Sequence, residues 1–230
     1  MKSKILTLIS VFFALTVSLN TAKAQEEEES SVWSTGMDIY SSYIWRGSKF
    51  GSGPAFQPYV DATVGGFSVG AWGSVNASSN ESLEMDLYLG YSFDFGLGIA
   101  LTDYYFGGDW TEVSSTHYLE PMVTYEGGGF SATFAYMFLP ETETTDFAEE
   151  GDLYLEAGYS FGAVDVALGL GDGQYTVTDD NPDGDFNVCN ITIGTSKEIK
   201  LSDSFILPVS GAVTLNPTTG GFFITAGISL

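Results

Sequence analysis

From residue 32 to residue 230 the chain alternates bulky apolar side chains with small or polar ones at a period of two. In residues 83–93, Leu83, Met85, Leu87, Leu89, Tyr91 and Phe93 share one parity, and Glu84, Asp86, Tyr88, Gly90 and Ser92 the other. Residues 130–138, 152–161 and 222–230 repeat the pattern. Helix-period stretches are scarce, so the expected class is all-β. The pattern divides into twelve segments near 32–45, 54–64, 67–75, 83–93, 97–106, 116–125, 130–139, 152–161, 163–171, 185–195, 204–214 and 222–230. Each is about the 9–11 residues that a tilted strand needs to cross a bilayer.

The links between these segments sort by parity. Odd-numbered links (46–53, 76–82, 107–115, 140–151, 172–184, 215–221) are long or loop-like. Even-numbered ones are mostly tight (Gly65-Gly66, Asp94-Phe95-Gly96, Glu126 to Gly129, Gly162), with 196–203 as the exception. Short turns at one end and longer loops at the other are the habit of an outer-membrane barrel. The expectation is a transmembrane up-and-down antiparallel β-barrel of about 12 strands, with ten or fourteen also compatible, over residues 32–230. Both termini would lie on the short-turn side. Aromatics near strand ends (Trp33, Trp45, Tyr91, Phe93, Phe106, Phe130, Phe138, Tyr159, Phe161) fit interfacial girdles. A soluble secreted barrel or sandwich with the two faces inverted is the competing architecture, because alternation alone does not tell inside from outside.

Residues 1–24 carry the three parts of a secretory signal peptide: Lys2 and Lys4, an apolar stretch from Ile5 to Leu19, and Ala22-Lys23-Ala24 before a cleavage point. Residues 25–31 (QEEEESS) read as a short acidic arm. The whole chain holds 7 Lys+Arg against 30 Asp+Glu, a net charge of −23, which excludes nucleic acid as a partner. One cysteine, Cys189, and one histidine, His117, exclude a disulfide framework and most His- or Cys-based metal sites, and no cofactor is expected.

The run Ser42-Tyr43-Ile44-Trp45-Arg46-Gly47-Ser48, followed by Pro54-Ala55-Phe56-Gln57, residues 66–74 (GFSVGAWGS) and residues 83–91 (LEMDLYLGY), resembles the TorF-type porin-like family of bacterial outer membranes, also called the Gcw_chp family. The match is specific over roughly residues 36–91 and general beyond. It implies an outer-membrane barrel, with no defined solute and no catalytic residues.

On the polar face the pore-lining candidates are Asp38, Asp61, Glu84, Asp86, Glu120, Asp152, Glu156 and Asp165, joined by one cation, Arg46. Two uses of Arg46 are open. It could share the external mouth with Glu84 and Asp86 and set a transverse field, in a lumen that favours cations. It could instead pair with one acid and lock the Arg46-Gly47 turn. Inward Tyr40, Tyr59, Trp72, Tyr88 and Tyr154 either narrow a small bore or fill it. The expected activity is therefore passage of small solutes, cations favoured. A non-conducting barrel acting as a structural or surface-interaction protein through acidic loops is the alternative.

Three further features are weaker. Asp179, Asn181 and Asp183 match the first half of a calcium loop, but Asn190 stands where the bidentate Glu belongs. Acidic loops 140–151 and 172–184 would approach anionic lipid head groups only with divalent cations between them. His117 shares parity with the outward Leu119 and follows Ser114 and Ser115, yet Leu119 occupies the position a nucleophilic serine would need. An interfacial histidine is expected there, and no enzyme. Pro58, Pro121 and Pro208 fall inside strands and suggest bulges.

Overall fold

The structure, a computed structural model, describes residues 32–76, 83–138 and 151–230. The expected signal peptide and acidic arm, and nearly all of the loops at 76–82 and 140–151, lie outside those residues. In chain order the elements are β1 (Trp33–Tyr40), β2 (Tyr43–Trp45), β3 (Ser48–Phe50), β4 (Ala55–Val64), β5 (Phe67–Asn76), β6 (Leu83–Ser92), β7 (Leu97–Tyr105), a short helix α1 (Val113–Thr116), β8 (His117–Gly127), β9 (Phe130–Met137), β10 (Asp152–Ser160), β11 (Asp165–Gly171), a 3₁₀ turn (Gly173–Tyr175), β12 (Asn187–Lys200), β13 (Ile206–Asn216) and β14 (Gly221–Ser229). Twelve strands close into one antiparallel barrel in which each pairs with its chain neighbours, and β2 and β3 form a separate hairpin.

Closure is made where β1 meets both β4 and β14. Trp33 to Tyr40 pair with Ala62 to Ala55 on one side, and Asp38, Ile39 and Tyr40 pair with Ser229, Ile228 and Gly227 on the other. Met37 and Leu230 exchange reciprocal backbone bonds of 3.0 Å that extend this seam. A closed ladder has no edge, so every strand finds backbone partners on both sides.

The faces are inverted relative to a water-soluble barrel. Leu83, Met85, Leu87, Leu89 and Tyr91 of β6 are exposed, while Glu84 and Asp86 between them are buried. Leu87 and Phe134 are 41% and 49% exposed. Among the described residues, the buried apolar set consists of Tyr, Trp, Met, Ala and Cys, with no Leu, Ile, Val or Phe. Those four types instead dominate the exterior. Apolar surface on this scale is unfavourable in water, and its alternation with a polar interior matches a hydrocarbon surround.

The tight-turn end is regular. Gly128 and Gly129, at φ 62° and 85°, supply the two left-handed positions that a two-residue hairpin between β8 and β9 requires. The link expected at 196–203 is no exception to the parity rule. β12 continues to Lys200, which pairs with Ile206, leaving only residues 201–205 as the turn. Its polar run of Ser196, Lys197 and Glu198 resembles a loop in sequence, but a strand that projects beyond the apolar belt can be fully solvated. β13 and β14 also extend, so the odd-numbered link expected as a loop at 215–221 is instead a four-residue turn, 217–220, and is the exception to the parity of link lengths.

Two expectations are corrected. The first strand ends at Tyr40 instead of residue 45, because Tyr43–Trp45 pairs locally with Ser48–Phe50. The prolines carry no register shift: Pro58, Pro121 and Pro208 sit in continuous register opposite Met37, Leu101 and Glu198. The bulge lies elsewhere, between Gly169 and Leu170, whose partners are Asn190 and Val188. Cys189 is the extra residue, and it and Asn190 are both buried in the interior.

The glycines on the inner face have a packing role. A Cβ at Gly36, Gly70, Gly169 or Gly227 would meet the ring of Tyr59, Tyr88, Tyr154 or Tyr40 respectively. These rings lie along the wall over side-chain-free positions, so they line the lumen without crossing it.

Inversion of the faces has a direct consequence. In lipid vesicles, Leu87→Arg should lower stability by about 2–4 kcal/mol, as for a cation on a barrel's lipid face, whereas Thr124→Arg on the inner wall should cost far less. Denaturant midpoints of the two variants against the parent measure the difference.

Candidate functional site

The chain leaves β1 through Ser41 and Ser42 and turns inward. The β2–β3 hairpin occupies the barrel interior, with Tyr43 and Trp45 only 3% and 6% exposed. Its two-residue turn is Arg46-Gly47, at φ 49° and 81°, the pair of left-handed conformations such a turn demands. Arg46 is the one non-glycine residue with positive φ among those described. At Gly47 a Cβ would run into the Cys189 carbonyl of the bulge, so this position is fixed by packing as well as conformation.

The energetic centre is the Arg46 guanidinium. Nη1 donates to Glu120 Oε1 at 2.5 Å and Nη2 to Oε2 at 2.9 Å, a two-pronged ion pair with side chains 8% and 0% exposed. Nη1 also donates to the Tyr175 hydroxyl at 2.7 Å, and Tyr104 donates to Glu120 Oε2 at 2.7 Å. The guanidinium lies 4.5 Å from the Trp45 ring centre and 4.4 Å from that of Tyr154. A buried charge needs such compensation from every side. The Trp45 ring packs on Phe50, Tyr104 and Tyr175, and Tyr43 packs on Phe50 and Trp72. The hairpin is thereby fastened to β5, β7, β8 and β10, and to the 3₁₀ turn.

The loop between β11 and β12 is the second inward element. Gln174 Nε2 donates to Asp152 at 2.7 Å, Asn216 Nδ2 donates to the Tyr175 carbonyl at 3.1 Å, and Asp172 accepts the Leu153 N–H at 2.6 Å. Burial pushes the Asp172 carboxyl up, and the Leu153 N–H opposes that shift. These bonds hold Tyr175 where Arg46 meets it.

Below the hairpin the lumen contains two spaces that adjoin at Met122. One, of about 130 Å³, lies between the hairpin and the wall formed by β1, β4, β8 to β10 and β12 to β14; the other, of about 310 Å³, lies between β5 and β8 near the tight-turn end. Thr102, Thr124 and Glu126 line the larger one.

The candidates from sequence fall as follows. Asp61, Glu84, Asp86, Glu120, Asp152 and Asp165 are buried on the inner face, and Asp38 and Glu156 are half-buried there. Asp61 accepts the Tyr88 hydroxyl. Glu156 Oε2 accepts Tyr154 at 2.5 Å and Asn190 at 2.9 Å. Arg46 does not share an external mouth with Glu84 and Asp86: its partner is Glu120. Glu84 takes the Tyr43 hydroxyl at 3.3 Å, and the Asp86 carboxylate has no protein hydrogen-bond donor. Trp45 is no girdle residue, because the hairpin carries it inside. Tyr104, Tyr175 and the Asn190–Thr192–Thr214 hydrogen-bonded run were missed. Strand parity marks Tyr104 as inward, whereas nothing local in the loop sequence marks Tyr175.

In the loop after β11, the Asn181 side chain is engaged by its own turn, donating to the Thr176 carbonyl and accepting the Asp185 N–H. Asp179 and Asp183 are exposed. Among the described residues no three His, Cys, Asp or Glu side chains converge to hold a metal.

His117 is not solitary. It belongs to the outer wall, but the loop 106–116 covers it. Nδ1 lies 2.9 Å from Asp103, Nε2 lies 3.2 Å from the Trp110 carbonyl, and the Trp110 ring centre is 4.6 Å away. Both ring nitrogens therefore face acceptors, and Ser115 Oγ bonds to the Glu112 carbonyl instead. A hydrolytic base needs one nitrogen turned to a nucleophile. In the same loop Asp109 accepts the Thr111 N–H and hydroxyl, which hold its carboxyl below the usual range.

A family model described as "Bacterial protein of unknown function (Gcw_chp)" matches residues 24–205. No curated protein matches. Among solved structures, a variant of the Rh. blastica porin is 14% identical with a TM-score of 0.41, over 76% of this chain and 55% of that one. The BenF-like porin from Pseudomonas fluorescens is 11% identical with a TM-score of 0.35, over 84% and 57%. Outer membrane phospholipase A from Escherichia coli is 11% identical with a TM-score of 0.38, over 90% and 93%. The chain spans about half the length of the porins it matches.

Removing Glu120 leaves the Arg46 charge buried and unpaired. Glu120→Ala should cost about 3–5 kcal/mol, and Arg46→Met combined with Glu120→Met should recover much of it. Gly47→Ala should unseat the hairpin without opening the barrel. Hydrogen exchange at residues 43–50 reads the hairpin, and exchange along β5–β8 reads the barrel.

Proposed function

The chain belongs to the Gcw_chp family, and we propose that it is an integral β-barrel of the bacterial outer membrane, a porin-like channel for small solutes that favours cations and whose bore is set by the inward hairpin. A signal peptide cleaved after Ala24 would deliver it. The carrying observation is the closed barrel with Leu, Ile, Val and Phe outside and carboxylates inside. Small turns cluster at the end where β1 begins and β14 ends, which is the periplasmic end in such barrels.

Cation preference follows from the interior charge. Arg46 is the only Lys or Arg buried inside among the described residues, and Glu120 neutralises it. Glu84, Asp86, Asp61, Asp152 and Asp165 have no cationic partner there. A low-dielectric wall focuses their field on the solute path, concentrating cations and rejecting anions. Outer-membrane lipid is the partner of the exterior, and divalent cations would bridge the acidic loops to it. The occupied nitrogens of His117 favour a channel over a hydrolase.

One observation supports a second reading, a non-conducting barrel that works through its external loops. The hairpin and Tyr175 fill the middle of the lumen, packed against the wall residues Tyr104 and Tyr154 with little exposure. Planar-bilayer recordings separate the readings. The purified protein should show small conductance steps and a cation-selective reversal potential in a salt gradient, and replacing residues 43–50 with a short Gly-Ser linker should raise conductance severalfold. A silent parent with a conducting linker variant would favour the plugged barrel. Anion selectivity in the parent would overturn the proposal.

A further inference from the structure

The larger of the two lumenal spaces, about 310 Å³ between β5 and β8, carries an uncompensated charge. Glu126 lines it from β8 and Asp94 lines it from the turn between β6 and β7, and no Lys, Arg or His joins them. The ion pairs of the described residues, Arg46–Glu120, His117–Asp103 and Lys200–Asp203, all lie elsewhere. Glu126 is half-buried on the inner wall, opposite Ser131 of β9. A low-dielectric wall strengthens the pull of such a carboxylate on a cation. Two residues before it on the same face, Thr124 also lines the space. A Cβ at the neighbouring Gly98, another lining position, would meet Thr124 Oγ1, so that hydroxyl lies on the lumenal side of the wall.

This lining separates the classes of guest. Anions are repelled. A divalent cation such as calcium takes about six to eight oxygen ligands, and no three His, Cys, Asp or Glu side chains converge among the described residues. A quaternary ammonium is held by several aromatic faces. Here Tyr88 is the single inward ring, and Tyr91 and Phe93 belong to the exposed outer surface. A primary ammonium is a compact charge with three N–H donors, and a carboxylate beside a hydroxyl supplies the acceptors it needs. Space is sufficient: a cavity of about 150 Å³ accepts a benzene ring, and this one is about twice that.

From this we infer that the turn-end half of the lumen is a binding site for a small aliphatic primary ammonium ion, which donates to Glu126 and Thr124 and lays its alkyl chain along Gly98 and Ala100 toward Met122. The inference goes beyond the channel reading. It needs solute to enter from the tight-turn end, and it does not need conduction past the hairpin.

Met122 supplies the readout, because it lines this space, whereas Met85 is on the outer wall and Met137 lies beside Gln174. The test is methyl NMR of the detergent-solubilised full chain carrying 13C-methyl methionine, titrated with n-butylammonium, tetramethylammonium and acetate at constant ionic strength. Met122→Leu assigns the signal. A saturable shift of the Met122 methyl is expected with n-butylammonium, at least fivefold tighter than with tetramethylammonium, and none with acetate. Glu126→Gln should weaken it at least tenfold and Thr124→Val by a few-fold, in variants whose folding a heat-dependent shift on a denaturing gel reports. Asp203→Asn removes an exposed acid in the turn between β12 and β13 and should leave binding unchanged. No saturable shift with n-butylammonium, equal or tighter binding of tetramethylammonium, undiminished binding by folded Glu126→Gln, or an equal loss in Asp203→Asn would overturn the inference. Cation-selective conductance without a saturable shift would sink this site alone, and a saturable shift in a protein silent in bilayers would sink the channel reading alone.

Discussion

The seam at β1 governs the rest of the molecule. One strand of eight residues pairs along its whole length with β4 and, near its end, with β14. Without it β4 and β14 would each present an open row of N–H and C=O groups to hydrocarbon, at several kcal/mol per group. With it, every strand has a partner on both sides, and the side chains are free to divide by solvent. Closure permits the inversion of faces, and the apolar exterior matches a hydrocarbon surround.

A polar interior raises a second problem, because a twelve-stranded wall encloses more space than its own side chains fill. The tyrosines do not span it. They lie over glycines on neighbouring strands. The hairpin and the loop after β11 fill the middle, and they meet at Arg46. One guanidinium receives a carboxylate from β8, a hydroxyl from the 3₁₀ turn and ring faces from β2 and β10. Five donors in a rigid fork make arginine suited to joining elements in this way. The positive φ at Arg46 belongs to the same design: a strained turn residue persists where its surroundings over-determine it.

The barrel was legible in the sequence because each strand's alternation is a local property and loop length by parity is a plain count. Twelve strands came through with ends displaced by a few residues. The larger errors share a cause. Residues 41–45 continue an aromatic and polar pattern, so they read as an extension of β1, and the break at Ser41-Ser42 is meaningful only once Tyr43–Trp45 has found Ser48–Phe50. The bulge at Cys189 was assigned to prolines because proline is visible in sequence, whereas a ladder mismatch at Gly169 is a relation between two strands. Of the interior acids, parity identified the inward face but gave no partners.

By itself the sequence determined the strand class, a barrel of about twelve strands, the segregation of most long and short links and the surplus of carboxylates over cations on one face, since each depends on spacing or composition along the chain; closure fixed the count at twelve. Only the tertiary structure decided that the apolar face points outward, that the first long loop folds into the lumen, and that Arg46 meets Glu120 instead of Glu84 or Asp86. Those residues are separated by up to 74 positions in the chain, and no local pattern specifies which of several equivalent carboxylates closure will bring within reach of one guanidinium.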